Sequence, residues 1–300
     1  MMPERVLLGH VRAPSGAIAI IDFGLMTEWS HQSEAMEAVR AGGGEIDFGA
    51  AIAVAVGGAP VQELAVWGTP MGEPPFAECW RYIDLEVQPS AAVAKRQTIG
   101  EVAVERARLM FADIDELDGW REGESFDGKA DVCFWGRDEE ALVQAAGAEA
   151  LEDGTWGWAN IDVETAERRQ AELGALVRQH EWWVVGEVRP HDHHHMLMQQ
   201  VRTSEHGAGE LELGAAKLCG FSTSWGDGVF PVILELDAAG QWVRLRIHLG
   251  TEQAVEAMRY VNAMADDEND DSYDPLDDDD VDPEDDEEEE PDDEEDEDDD

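Results

Sequence analysis

The stretch CGFSTSWGDGVFPVILEL, residues 219–236, decides the reading of the fold because it joins a turn, a buried strand and a tryptophan anchor. Gly226 and Gly228 accept positive φ without a steric cost and flank Asp227, so residues 226–228 are expected as a hairpin turn. From Val229 onward, β-branched and apolar residues predict a strand as far as Leu236. Pro231 has no N–H to give a ladder, so that strand begins near it or lies at a sheet edge there. Trp225 reads first as a packing anchor and second as part of a ligand surface.

Working outward, residues 241–249 alternate cleanly. Val243, Leu245, Ile247 and Leu249 share one face, and Trp242, Arg244, Arg246 and His248 the other. Thr251 is placed to cap a closing helix to about residue 265. Upstream, residues 5–22 read as two short strands around an A-P-S-G turn. Residues 46–56, 61–67, 79–87 and 131–136 read as strands, and 102–111 as a strand or short helix. Ser30, Asp138 and Asp162 are expected N-caps of helices over 31–41, 139–150 and 163–180, and the acidic, glycine-punctuated residues 113–129 are expected at the surface. Strands that outnumber helices and follow one another favour an α+β class: a mostly antiparallel, β-rich domain with a few packed helices. Residues 58–64 echo residues 230–236, each running through Pro-Val to a strand ending Glu-Leu, which raises the idea of two similar halves.

Charge divides the chain. Of 70 acids, 27 fall in residues 266–300 without a single base, leaving 43 acids against 20 bases, a net of −23, in the body. Residues 1–265 are therefore expected as one globular domain and 266–300 as a disordered polyacidic tail. An acidic body disfavours contact with nucleic-acid phosphates and with anionic membranes, and no run approaches the ~18 apolar residues of a span. Cys79, Cys133 and Cys219 are an odd, widely spaced set that suits a reducing compartment, and residues 1–13 lack an apolar leader core, so a cytoplasmic setting is expected.

Three stretches resemble a bacterial family called domain of unknown function 4241. They are SGAIAIID at Ser15–Asp22, the G-x-P-V run at Gly58–Val61, and SWGDGVFPV at 224–232 followed by the LDAAG turn at 236–240. Phe23 stands where that pattern has proline, and the Gly58 run lacks its tyrosine. The resemblance spans about residues 5–250. It implies a β-rich α+β fold and no catalytic residue.

Candidate sites are few. The run RPHDHHH at 189–195, if extended, projects His191, His193 and His195 to one face, where three imidazoles could hold zinc with Asp192 or Glu187 nearby. The alternative is a solvated polar loop. Arg244, Arg246 and His248, with Trp225 and Asp227 at the preceding turn, could form a ligand or partner surface, the bases taking an anionic ligand or the chain's own acidic tail, or could pair with acids such as Glu235 across strands. Cys133 and Cys219 read as packing thiols. Trp156, Trp158, Trp182 and Trp183 divide between core and surface, the exposed ones a possible ligand platform. The nucleotide-loop, dinucleotide, nucleophile-elbow and H-E-x-x-H signatures are all missing. The leading expectation is a non-enzymatic, cytoplasmic interaction protein, of inhibitor or immunity type, that engages a basic protein partner and needs no cofactor. The alternative is a metal-dependent enzyme centred on His191, His193 and His195.

Overall fold

In a computed structural model the described residues are 4–270 apart from 27, 28, 48 and 50, with side chains described to residue 261. The strands are β1 (Val6–Val11), β2 (Ala17–Ile21), β3 (Gly44–Asp47), β4 (Ile52–Gly57), β5 (Leu64–Pro70), β6 (Trp80–Glu86), β7 (Lys95–Val104), β8 (Arg108–Asp113), β9 (Lys129–Trp135), β10 (Glu149–Ala150), β11 (Trp156–Asp162), β12 (Val185–Pro190), β13 (Ala208–Leu213), β14 (Ala216–Ser222), β15 (Gly228–Leu236) and β16 (Trp242–His248). The helices are α1 (Gln32–Arg40), α2 (Glu139–Ala146), α3 (Val163–His180), α4 (His193–Thr203) and α5 (Glu252–Asp270). Met1–Glu256 forms one compact unit, and Ala257–Asp300 a second, of which the described part is the remainder of α5.

The strands build two sheets, antiparallel throughout. The larger runs β1-β5-β6-β16-β15-β7-β4-β2-β8-β14-β13, with β3 added to β4; the smaller runs β10-β11-β9-β12. The β-rich α+β class read from the sequence is the class that forms. Arg12 and Lys217 exchange backbone hydrogen bonds of 2.9 and 3.0 Å, so β1 meets β14 and the larger sheet nearly closes on itself. One core, including Ile21, Phe23, Met110, Trp120 and Leu197, joins this sheet to α1 and α4. The second, around Val132, Phe134, Leu142 and Leu173, lies between the smaller sheet and helices α2 and α3.

Local rules set many element ends. Asp162 accepts from Thr165 N at 2.8 Å and starts α3, and Thr251 Oγ1 accepts from Ala254 N at 3.1 Å at the start of α5. On β16, Val243, Leu245 and Ile247 are buried while Arg244, Arg246 and His248 lie on the opposite face. Pro231 sits where β15 is paired only with β7, since the β16 ladder begins at Val232, so its missing N–H costs no bond.

Other expectations are corrected. Residues 226–228 do not close a hairpin: β14 pairs with β13 and β8, while β15 pairs with β7 and β16. The turn instead wraps the β7–β8 connection, with Asp227 Oδ1 accepting from Ala107 N at 2.9 Å and Thr223 N donating to Ala107 O at 2.9 Å. Residues 46–56 break into the β3–β4 hairpin rather than one strand, and 102–111 divides between β7 and β8. Ser30 lies too far ahead of α1 to cap it, and the Asp138 carboxylate accepts from Trp183 N at 2.7 Å instead of capping α2. Residues 113–129 are not all surface: Asp113, Leu117 and Trp120 are buried, Asp113 because its carboxylate accepts from both Ser15 N and Ser15 Oγ at 2.8 Å. Residues 58–64 mostly precede β5, whereas 230–236 lie inside β15, so the two echoing heptads hold different places in the fold. Residues 266–270 of the expected tail end α5; the disorder expected of 271–300 lies outside the described residues. Among the described residues no helix is long and apolar enough to cross a membrane.

Candidate functional site

The run from Pro190 to His195 turns a strand into a helix. Asp192 Oδ1 accepts from His195 N at 2.8 Å, which is the N-cap bond that starts α4. An extended RPHDHHH would have put three alternating histidines on one face; instead the chain turns at Asp192, which leaves His191 ahead of the cap and His195 in the first turn of α4. Across that turn His191 and His195 stack, with ring centroids 4.8 Å apart and planes 10° from parallel. His193 departs from the expected set. It packs against Trp120 and Phe126, and its Nδ1 accepts from Arg121 N at 2.9 Å.

The third member of the cluster comes from β9. Asp131 Oδ1 lies 3.2 Å from His191 Nε2, and Asp131 Oδ2 lies 3.6 Å from His195 Nε2. A bulge in β11 after Trp158 also turns the Asn160 N–H onto Asp131 Oδ1, at 2.7 Å. On its other side His191 Nδ1 meets Asp127 Oδ2 at 3.0 Å. Burial lowers the His191 pKa, but the hydrogen bonds and charges of Asp127 and Asp131 outweigh it and leave His191 raised. The same contact with His191 holds Asp127 down to about 2. For His195 burial dominates, and the net direction is down.

These groups open onto a cavity of about 960 Å³ lined, among the described residues, by eight carboxylates and two guanidiniums. Both guanidiniums are neutralised in place: Asp153 Oδ2 accepts from Arg189 Nη1 at 2.5 Å and Arg202 Nη1 at 2.9 Å, and Glu187 takes Arg189 Nε. Glu122 stands in the same wall. Its Oε2 is buried and accepts no hydrogen bond from the described residues, and burial, then the charge of Asp192, pushes its carboxyl up to about 7. The Glu122 loop is fixed to the start of α4 by Gly123 N donating to Asp192 Oδ2 at 2.6 Å. Phe126 and Met196, 50% and 40% exposed, and Trp158, one face under Arg169 at 4.7 Å, add apolar surface. His194 turns inward toward Phe23 and Arg108, and burial followed by the Arg108 charge lowers it to about 4.

The other sequence candidates are built into the scaffold. Arg244 donates to Glu235 at 2.6 Å; Arg246 grips Asp84 through two bonds of 2.7 and 2.9 Å and lies over the Tyr82 ring. His248 packs on Tyr82 with centroids 4.9 Å apart. Trp225 is buried, donates from Nε1 to Trp80 O at 2.7 Å and packs on Phe76. Cys133 and Cys219 are free and buried, burial pushing Cys133 up to about 12 and Cys219 higher still, as suits packing thiols. Of the tryptophans, Trp156 and Trp182 pack on the second core, Trp158 lines the cavity and Trp183 is exposed.

Glu122, Asp127, Asp131 and Asp153 were not singled out by sequence. Asp131 lies 60 residues from His191, and no local pattern links them. The one available signal is that Asp131 lies within a core strand, an unusual place for a carboxylate. No family model, curated protein or solved structure matches the chain.

Proposed function

We propose that the chain is an interaction module of inhibitor or immunity type that receives a basic side chain, lysine or arginine, from a protein partner into this cavity. The observation that carries the reading is the charge of the lining. Among the described residues eight carboxylates face two arginines, both arginines are already paired with Asp153 and Glu187, and Glu122 Oε2 has no donor. A low-dielectric cleft lined by one sign focuses the field and raises the local concentration of the opposite sign. A ligand N–H⁺ supplies the donor that Glu122 lacks, and Phe126 and Met196 offer apolar surface for the methylene stem. Phosphate-bearing partners such as nucleic acids are disfavoured by the same field. Three free cysteines fit a cytoplasmic setting. The stretches that resemble the family of unknown function supply β2, the β4–β5 connection and the lead into β15, all scaffold, and lend the reading no catalytic residue.

The test is binding of lysine- and arginine-containing tripeptides, against free arginine, to the full chain in excess chelator. We expect peptide binding that weakens at least tenfold in Glu122→Gln and falls with salt. Equal binding by wild type and Glu122→Gln, with residual affinity attributable to the acidic segment alone, removes the reading. A second reading, a metal-dependent enzyme, is favoured by the convergence of Asp131, His191 and His195.

A further inference from the structure

His191 and His195 both direct Nε2 at the carboxylate of Asp131, and one ligand atom from each of the three lies within 4.8 Å of the others. Two imidazoles and a carboxylate form a borderline-soft donor set suited to zinc. Such a grouping also arises as plain hydrogen bonding, so the surroundings have to decide.

Two features of the surroundings favour a metal. Asp127 takes the far nitrogen of His191: with Nδ1–H donated to Asp127 Oδ2 at 3.0 Å, the Nε2 lone pair is left facing the cluster. A carboxylate behind a histidine in this way fixes tautomer and ring orientation and raises the basicity of the ligating nitrogen. The cluster is also enclosed but not sealed. The side chains of Asp131, His191 and His195 are 13%, 14% and 11% exposed, and all three line the cavity. Six carboxylates of that wall, Asp131 among them, have no lysine or arginine partner among the described residues, so a cation there meets a net negative field.

We propose that Asp131, His191 and His195 hold a divalent metal ion of the zinc class, oriented by Asp127, with the remaining coordination positions open to the cavity. Three protein donors beside an open cavity is the arrangement of a metal that takes a further ligand, water or a bound guest, rather than of a closed structural site. His193 and His194 lie outside it, the first turned to Trp120 and Phe126 and the second to Phe23 and Arg108.

The experiment uses the full-length chain without a histidine tag. Metal content is measured by elemental analysis after purification, and Zn²⁺ affinity by competition with a chromogenic chelator, with circular dichroism to verify folding. We expect about one tight zinc per chain in wild type and in His193→Gln, none in His195→Gln or Asp131→Asn, and an affinity loss of about 10–100-fold in Asp127→Asn. Weak binding by the acidic segment is common to every variant and cancels in the comparison. Tight zinc retained by folded His195→Gln and Asp131→Asn, or absent from wild type at stoichiometric zinc, overturns the proposal. Peptide binding in chelator is scored separately, so either reading can fail without the other.

Discussion

Replacing Arg246 by methionine keeps the aliphatic stem and removes the fork that neutralises Asp84. Asp84 is 1% exposed and is held by Arg246 through two bonds of 2.7 and 2.9 Å, with Arg244 at 3.7 Å and Arg5 at 4.0 Å as more distant cations. Glu235, also 1% exposed, keeps Arg244 and Arg96. Breaking one side of a buried pair costs about 3–5 kcal/mol, because the remaining charge is left in low dielectric. Stacking of Arg246 on Tyr82, 4.1 Å from guanidinium to ring, adds up to about 1 kcal/mol. Part of this is recovered if Arg244 and Arg5 move inward, so we expect a net loss of about 3 kcal/mol. Urea unfolding of the full chain at pH 7 should show the midpoint falling by roughly 1–2 M. Asp84→Leu combined with Arg246→Met should cost less than Arg246→Met alone, since no orphan charge remains. A single variant within about 1 kcal/mol of wild type, or a double variant costing the sum of two large single losses, refutes the argument that Arg246 serves chiefly to neutralise a buried carboxylate.

Three more outcomes can be checked with similar measurements. Gly157→Ala should destabilise by about 3 kcal/mol or more, because a β-carbon there would sit 1.8 Å from Val132 O and force β9 and β11 apart; a loss below about 1 kcal/mol in urea unfolding would contradict that clash. Asp162→Ala should cost about 1 kcal/mol by removing the cap of α3, and hydrogen exchange should locate the loss at the first turn. Glu122 has a raised pKa, so the fold favours its neutral form: its contribution is fully present below the unfolded value of 4.5 and is lost as pH rises toward about 7. Discounted for solvent screening, Glu122→Gln should gain about 1 kcal/mol at pH 8 and nothing at pH 4, measured in chelator; equal effects at both pH values would be inconsistent with the burial of that carboxyl.

The features legible in the residues alone are local. The alternation of residues 243–248, the proline at 231 and the caps at Asp162 and Thr251 act through neighbours a few positions away, and each is realised in β16, β15, α3 and α5, while Trp242, expected on the arginine face, is buried beside Val243 at a register shift. The three-histidine reading failed one step beyond that range. Asp192 is itself a cap, and by starting α4 it ends the two-residue period of a strand, which retires His193 and leaves His191, ahead of the cap, stacked on His195 in the first turn. The basic stripe was legible as a stripe, with Glu235 as one partner, but Asp84 waited on the pairing of β16 with β6. Which strands meet, the crossing of residues 226–228 between strands instead of a hairpin, and the sharing of one cavity by Asp131, Asp127, Glu122 and the histidines all follow from long-range packing. Partners 60 or more residues apart are selected by summed burial over whole sheets, and no short-range period carries that information.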